Sequence, residues 1–282
     1  MSSVREFFQT IRVEHTIFAL PFAYATLFLA EGTWPTLSNA FWVTVAMVAG
    51  RTVGMAANRL IDAQIDARNP RTASRSIPAG RLGASRALAF TAVALAVFIV
   101  AVWQLHPICR LLWPVVVIAM VAYPYAKRFT PLAHLVLGLV YFMVPTAVWL
   151  AVTGTVTAPA LLLGVGAGLW VAGFDIIYAC QDVDVDRREG LHSIPADFGV
   201  SRALATAYGF HLAFVACLFF VGSMLSAGSW YYVGVTLTAL LLVVEHRLVK
   251  PNDLSKVNAA FFTTNGIVSI ALFALIALDT VV

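Results

Sequence analysis

The run Ser76-Ile-Pro-Ala-Gly-Arg-Leu-Gly-Ala-Ser-Arg-Ala-Leu-Ala89 returns as Ser193-Ile-Pro-Ala-Asp-Phe-Gly-Val-Ser-Arg-Ala-Leu-Ala205, and the two align throughout with a single one-residue gap. A match of this length marks an internal duplication. Each copy follows an acidic helix end, and four apolar stretches separate the copies, so both stand on one side of a membrane. The sequence therefore predicts an all-α integral membrane protein with nine transmembrane helices, built as two parallel four-helix halves plus a ninth helix. It reads as a single membrane-embedded unit over 1–282, with the internal repeat around 39–89 and 158–205.

Composition agrees. Of 282 residues, 61% are hydrophobic and 11% charged, against roughly a quarter charged in an ordinary soluble protein. A bilayer-spanning helix needs about 20 predominantly apolar residues, because lipid offers no partner to unpaired backbone groups. The stretches that qualify are residues 16–31, 39–62, 86–104, 107–124, 131–152, 158–181, 201–222, 230–248 and 258–280, the first of them marginal in length. The opening segment, MSSVREFFQTIRVEH, is polar and amphipathic and is expected to be retained rather than cleaved.

Basic residues fall almost wholly in alternate connections: 16 of the 18 lie on the side of the two repeat copies, Arg110 opposite them and Arg51 inside a helix. The positive-inside rule then places the N-terminus and the repeat copies in the cytoplasm, in a cell inner membrane, and accounts for the basic balance without a nucleic-acid partner. Cys109, Cys180 and Cys217 lack C-x-x-C spacing and read as small packing residues. The histidines show no metal-ligand spacing; His15, at the mouth of the first helix, is the one to watch, and the others are expected to pack or to sit at interfaces.

The chemistry stands just before each copy. Asn58-Arg-Leu-Ile-Asp62-Ala-Gln-Ile-Asp66 repeats at steps of four, each step advancing about 400° and 6 Å, so Asn58, Asp62 and Asp66 share one helix face. Before the second copy, Asp175, Tyr178, Asp182 and Asp186 are spaced three, four and four apart and also share a face, while Asp184 points away as a solvated bystander. Any one of these acids alone would read as a solvated helix end. Two facing stripes of oxygen donors suit Mg²⁺, which takes one or two carboxylates and completes its shell with water and substrate phosphate.

Basic groups on the same side fit a diphosphate. Arg71 and Arg75 follow the first stripe with planar forks for phosphate oxygens, and Tyr123-Pro-Tyr-Ala-Lys127-Arg128 closes the fourth helix. Lys127 would neutralise charge on a leaving group, although Lys127 and Arg128 could instead be simple interfacial anchors. Arg51, seven residues before Asn58, must face a cavity and meet an anion: an internal pair with Asp175, or an acidic or phenolic substrate.

At these residues the chain resembles the UbiA superfamily of membrane aromatic prenyltransferases over essentially its whole length. The matches are Asn58-x-x-x-Asp62-x-x-x-Asp66, Asp182-x-x-x-Asp186 after Asp175 and Tyr178, and Tyr123-x-x-x-Lys127. The resemblance implies a ring of nine helices around a cavity open sideways to lipid. It implies Mg²⁺ held on a prenyl diphosphate by Asn58, Asp62, Asp66, Asp182 and Asp186. Asp62, Asp182 and Lys127 would be catalytic; Arg71, Arg75, Tyr123, Lys127 and Arg128 would bind diphosphate; and Arg51, Asp175 and Tyr178 would bind the acceptor. The segments 14–24, 58–72 and 190–195 are similar to 4-hydroxybenzoate polyprenyltransferase-like members that serve menaquinone synthesis through futalosine, which implies 1,4-dihydroxy-6-naphthoate as acceptor, with 4-hydroxybenzoate of ubiquinone synthesis as the alternative.

The expected reaction is Mg²⁺-dependent transfer of a polyprenyl group to an aromatic acid, with water kept from the allylic cation. A cation-coupled transporter is the rival from another class, since parallel repeats also build transporters, but it calls for polar groups at mid-membrane rather than carboxylates clustered at one face.

Overall fold

The computed structural model describes residues 3–11 and 16–282, with side chains from residue 20 onward in the second stretch. Arg12, Glu14 and His15 lie outside them. Among the described residues no strand occurs, and 82% of them are helical.

A short amphipathic helix, α1 (Ser3–Ile11), precedes α2 (Thr16–Glu31). Next come α3 (Leu37–Ile61) and, beyond a break at Asp62, α4 (Ala63–Arg68). After a looped segment, α5 (Ala84–Gln104) and α6 (Cys109–Ala122) follow, the latter tightening into a 3-10 turn over Tyr123–Arg128. The second half repeats the pattern with α7 (Ala133–Thr153), α8 (Ala158–Ala179), a 3-10 turn at Cys180–Asp182, α9 (Val183–Glu189), α10 (Ile194–Phe198), α11 (Val200–Leu225) and α12 (Ser229–Leu248). A π-helical turn, Ala259–Thr264, leads into α13 (Asn265–Val281).

Among the described residues eight helices are long and apolar enough to cross a membrane, and Leu20–Glu31 is a shorter apolar one. Over the described residues the stretch expected at 16–31 forms α2, a 16-residue helix. Helix starts follow capping chemistry: the Thr36 hydroxyl accepts from Asn39 N at 3.2 Å and Thr157 from Ala160 N at 3.4 Å, each meeting one orphan donor of a first turn. Gly154, at φ +70°, closes α7 in the left-handed conformation that glycine adopts freely.

The core lies among α2, α8, α11, α12 and α13, where Trp170 stacks on Phe214 at 5.5 Å and Phe22 packs on both. Helices α7 and α8 meet through Gly138 and Gly168, where a Cβ on either would come within 2.7 Å of the other's carbonyl oxygen. This is the small-residue contact by which membrane helices approach closely. Outward, side chains such as Leu111, Ile118, Leu139, Phe220 and Leu240 stand exposed, apolar as a lipid-facing surface requires.

The acidic stripes do not lie on unbroken helices. Asp62 (φ −94°, ψ 4°) and Asp182 (φ −105°, ψ 4°) both sit in the sparsely populated bridge region, where active-site residues concentrate. The first stripe survives its break, because Asp62 N still donates to Asn58 O at 3.0 Å and Asp66 N to Asp62 O at 2.8 Å. The two breaks fall at corresponding places before the duplicated run.

Candidate active site

A cavity of roughly 350 Å³ lies between the halves. It is lined by Arg51, Asn58, Asp62, Asp66, Arg71, Arg75, Tyr123, Lys127, Asp175, Tyr178, Asp182 and Asp186. Of the residues singled out by the motifs, only Arg128 is not part of the wall. Asp184 is exposed.

At the polar end the carboxylates are answered by cations. Buried Asp62 accepts from Lys127 Nζ at 2.6 Å and from Arg128 Nη2 at 3.1 Å. Arg128 also donates to Pro124 O and Ile61 O and lies 5.0 Å over the Tyr125 ring. Arg128 thus braces Asp62 from behind rather than facing the cavity. Asp66, 6% exposed, takes both its bonds from Arg75 Nη1 at 2.7 Å.

Asp182 receives the fork of Arg71, Nε at 3.0 Å and Nη2, and the amide of Asn69 at 2.9 Å. Arg71 Nη1 donates to Tyr178 Oη at 2.7 Å. Tyr178, which the resemblance puts at the acceptor, is thus engaged by Arg71 through its hydroxyl while its ring packs on Phe261 and Phe262. Arg71, in the loop after α4, is desolvated by burial, which opposes its charge, but the Asp182 carboxylate outweighs this and raises its pKa above the ordinary value. Asp186 accepts from Ser193 Oγ at 2.9 Å, and Tyr123 Oη from Asn58 Nδ2 at 2.9 Å.

The deeper wall is apolar and aromatic, with Phe22, Trp170, Phe174, Phe261 and Phe262, and Asn265 among them. Asp175 does not pair with Arg51. Its Oδ2 lies 2.7 Å from His134 Nδ1, while Arg51 Nη1 donates to Ile11 O at 3.2 Å. An ionisable group inside a membrane helix is costly and calls for a partner, and His134 supplies one to Asp175. His134 was expected merely to pack, and nothing in its spacing marks it, because its partner is 41 positions away. Asn69 and Ser193 were likewise silent: Ser193 also caps α10, accepting from Ala196 N at 3.2 Å, and its counterpart Ser76 donates instead to Glu6 Oε2 at 2.7 Å.

A second cavity of roughly 360 Å³, almost wholly apolar, lies among α3, α5, α6 and α7. It shares Arg51, Met55, Tyr123, Leu137, Tyr141 and Val144 with the first.

Comparison with known proteins agrees with this arrangement. The UbiA prenyltransferase family model matches residues 19–267. A 4-hydroxybenzoate octaprenyltransferase of Aliivibrio fischeri is 30% identical over 281 residues, covering 97% of each chain. A 4-hydroxybenzoate solanesyltransferase of Synechocystis is 29% identical, covering 92% of this chain and 88% of the other. Among solved structures, the apo form of a UbiA homolog from Aeropyrum pernix superposes with a TM-score of 0.85 at 35% identity, covering 95% of this chain and 98% of that one. A UbiA homolog from Archaeoglobus fulgidus bound to DMAPP and Mg²⁺ shares the fold, with a TM-score of 0.75 at 19% identity and 98% and 99% coverage. With the family model spanning most of its length and its carboxylates and cations gathered at one end of a membrane-embedded cavity, this chain belongs to the UbiA prenyltransferase family, as a multi-pass membrane aromatic prenyltransferase.

Proposed function

We propose that the protein transfers a polyprenyl group from prenyl diphosphate to 4-hydroxybenzoate, with Mg²⁺, at the polar end of the central cavity and in a step of quinone synthesis. The observation that carries this is the convergence of Asp62, Asp66, Asp182 and Asp186 with Lys127, Arg71 and Arg75 around one opening. The relatives' names favour 4-hydroxybenzoate over the naphthoate. The naphthoate remains a second reading because of the segments 58–72 and 190–195.

The donor set fits Mg²⁺: all its atoms are hard oxygens. An ion of this kind takes one or two carboxylates and completes its shell with phosphate and water. Bound there, Mg²⁺ would draw charge onto the diphosphate oxygens.

The protein's own groups do the rest. Arg71, Arg75 and Lys127, which now answer carboxylates, can turn their donors to an arriving diphosphate, and Lys127 holds the charge that grows on it as the allylic C–O bond breaks. Phe22, Trp170 and Phe174 exclude water from the cationic carbon. The prenyl tail runs through the shared wall into the second, apolar cavity and so toward lipid. The concentration of basic residues at this end supports a position at the cytoplasmic face of the inner membrane, with the N-terminus on the same side.

The test is the purified protein in lipid nanodiscs with Mg²⁺, octaprenyl diphosphate and either 4-hydroxybenzoate or 1,4-dihydroxy-6-naphthoate, read by mass spectrometry. Prenylated 4-hydroxybenzoate as the preferred product supports the proposal. Exclusive use of the naphthoate selects the second reading, and no prenylated product from either acid rejects both.

A further inference from the structure

Asp175 lies in α8 seven residues before Asp182, which stands beyond the 3-10 turn, and so about 10 Å deeper in the cavity. Its neighbours Ile176 and Ile177 are fully buried, yet its own side chain is 30% exposed and lines the open space.

Its surroundings are asymmetric. Oδ2 is held by His134, whereas Oδ1 takes no hydrogen bond or ion pair among the described residues. His134 is 5% exposed, and its Nε2 is buried without a partner. Since Nδ1 faces a carboxylate at hydrogen-bond distance, the proton is assigned to Nδ1, which donates. His134 borders the cavity, but its Nε2 is shut from solvent and the hydrogen bond of its ring goes to Asp175. Tyr141, Asp175 and Arg51 line the same cavity, so an acid and a cation border one aromatic-lined space below the carboxylate ring.

We propose that Asp175 accepts the hydroxyl proton of the aromatic acceptor, with His134 as the residue that positions it; this rests on the aromatic hydroxy acid reading given above. The hydroxyl proton passes to Asp175 Oδ1. The phenolate pair drives the ring carbon beside the oxygen onto C1 of the prenyl chain, whose C–O bond breaks with its electrons leaving on the diphosphate. The resulting cyclohexadienone loses its ring proton to the released diphosphate. Asp175 then returns its proton to the oxygen, restoring the phenol and the free carboxylate.

The experiment uses the nanodisc enzyme with Mg²⁺, octaprenyl diphosphate and three acceptors, 4-hydroxybenzoate and its 2-fluoro and 2,6-difluoro analogues, whose hydroxyls are progressively more acidic while the reacting positions stay open. Asp175→Asn should lower kcat on 4-hydroxybenzoate by about 10²- to 10⁴-fold and leave the KM for the prenyl diphosphate unchanged. The deficit relative to wild type should shrink along the series, because a more acidic acceptor needs less help. His134→Ala should show a smaller deficit with the same trend, and His134→Gln, which restores an N–H donor, should recover part of it. Should Asp175→Asn not fold, the trend in His134→Ala carries the same test. A deficit equal for all three acceptors overturns the inference and leaves the function reading intact. A wild type that prenylates none of them contradicts that reading and takes this inference with it.

Discussion

Lys127 and Arg128 are adjacent in sequence and both touch Asp62, yet only Lys127 borders the cavity. Lys127→Met, similar in length without charge, should therefore lower kcat by about 10² to 10³, the usual effect of deleting one donor to a developing charge. A change under about threefold would make Lys127 an anchor. Arg128→Met should act more weakly, through a displaced Asp62. For Arg71, replacement by Lys keeps the charge but not the fork that spans Asp182 and Tyr178. The KM for prenyl diphosphate should rise while the acceptor KM stays level, as measured by varying each substrate in turn. The acidic stripes were legible in the sequence because regular spacing on a helix fixes a shared face, and Arg71, Lys127 and Arg128 stood out as basic groups on the same side. His134 and Asn69 were not, since each acts through a partner from another helix and carries no periodic signature.

At the scale of elements, the apolar stretches foretold the helices closely, and the duplicated run foretold that two acidic ends would meet. The breaks at Asp62 and Asp182 were not foretold: no proline or glycine marks them, and the bridge conformation is imposed by tertiary contacts such as those of Asp62 with Lys127 and Arg128. The duplication also misleads in one respect, for its two serines face different carboxylates.

Ser76, with Arg81, ties α1 to the loop through Glu6. The Ser76 hydroxyl foremost, and Arg81 with it, hold the Glu6 carboxyl below its ordinary range, although burial works the other way. Because the folded-state pKa is the lower one, this tie is fully present above the unfolded carboxylate value and is lost as pH falls through the depressed one. Hydrogen exchange over residues 3–11, corrected for intrinsic rates, should be slow at neutral pH and fast only at acid pH below the usual carboxylate range. Glu6→Gln should exchange faster already at neutral pH, and equal protection in both proteins would show that the tie contributes nothing.

For the whole molecule, the two cavities share a wall, and the proposed path of the prenyl tail has donor length read in the apolar one. Gly54 lines only the apolar one, beside Met120. Gly54→Phe should weaken turnover of octaprenyl diphosphate while sparing geranyl diphosphate, and an equal loss on both would place the tail elsewhere. If the two carboxylate stripes hold one metal-bound diphosphate between them, this will be read in turnover against Mg²⁺ concentration for wild type, Asp62→Ala and Asp182→Ala. Wild type should be inactive in EDTA and regain full activity on adding Mg²⁺, while either alanine variant, though inserted in the membrane, should stay inactive at every Mg²⁺ concentration; full wild-type turnover in EDTA, or wild-type rates in either variant, would contradict it.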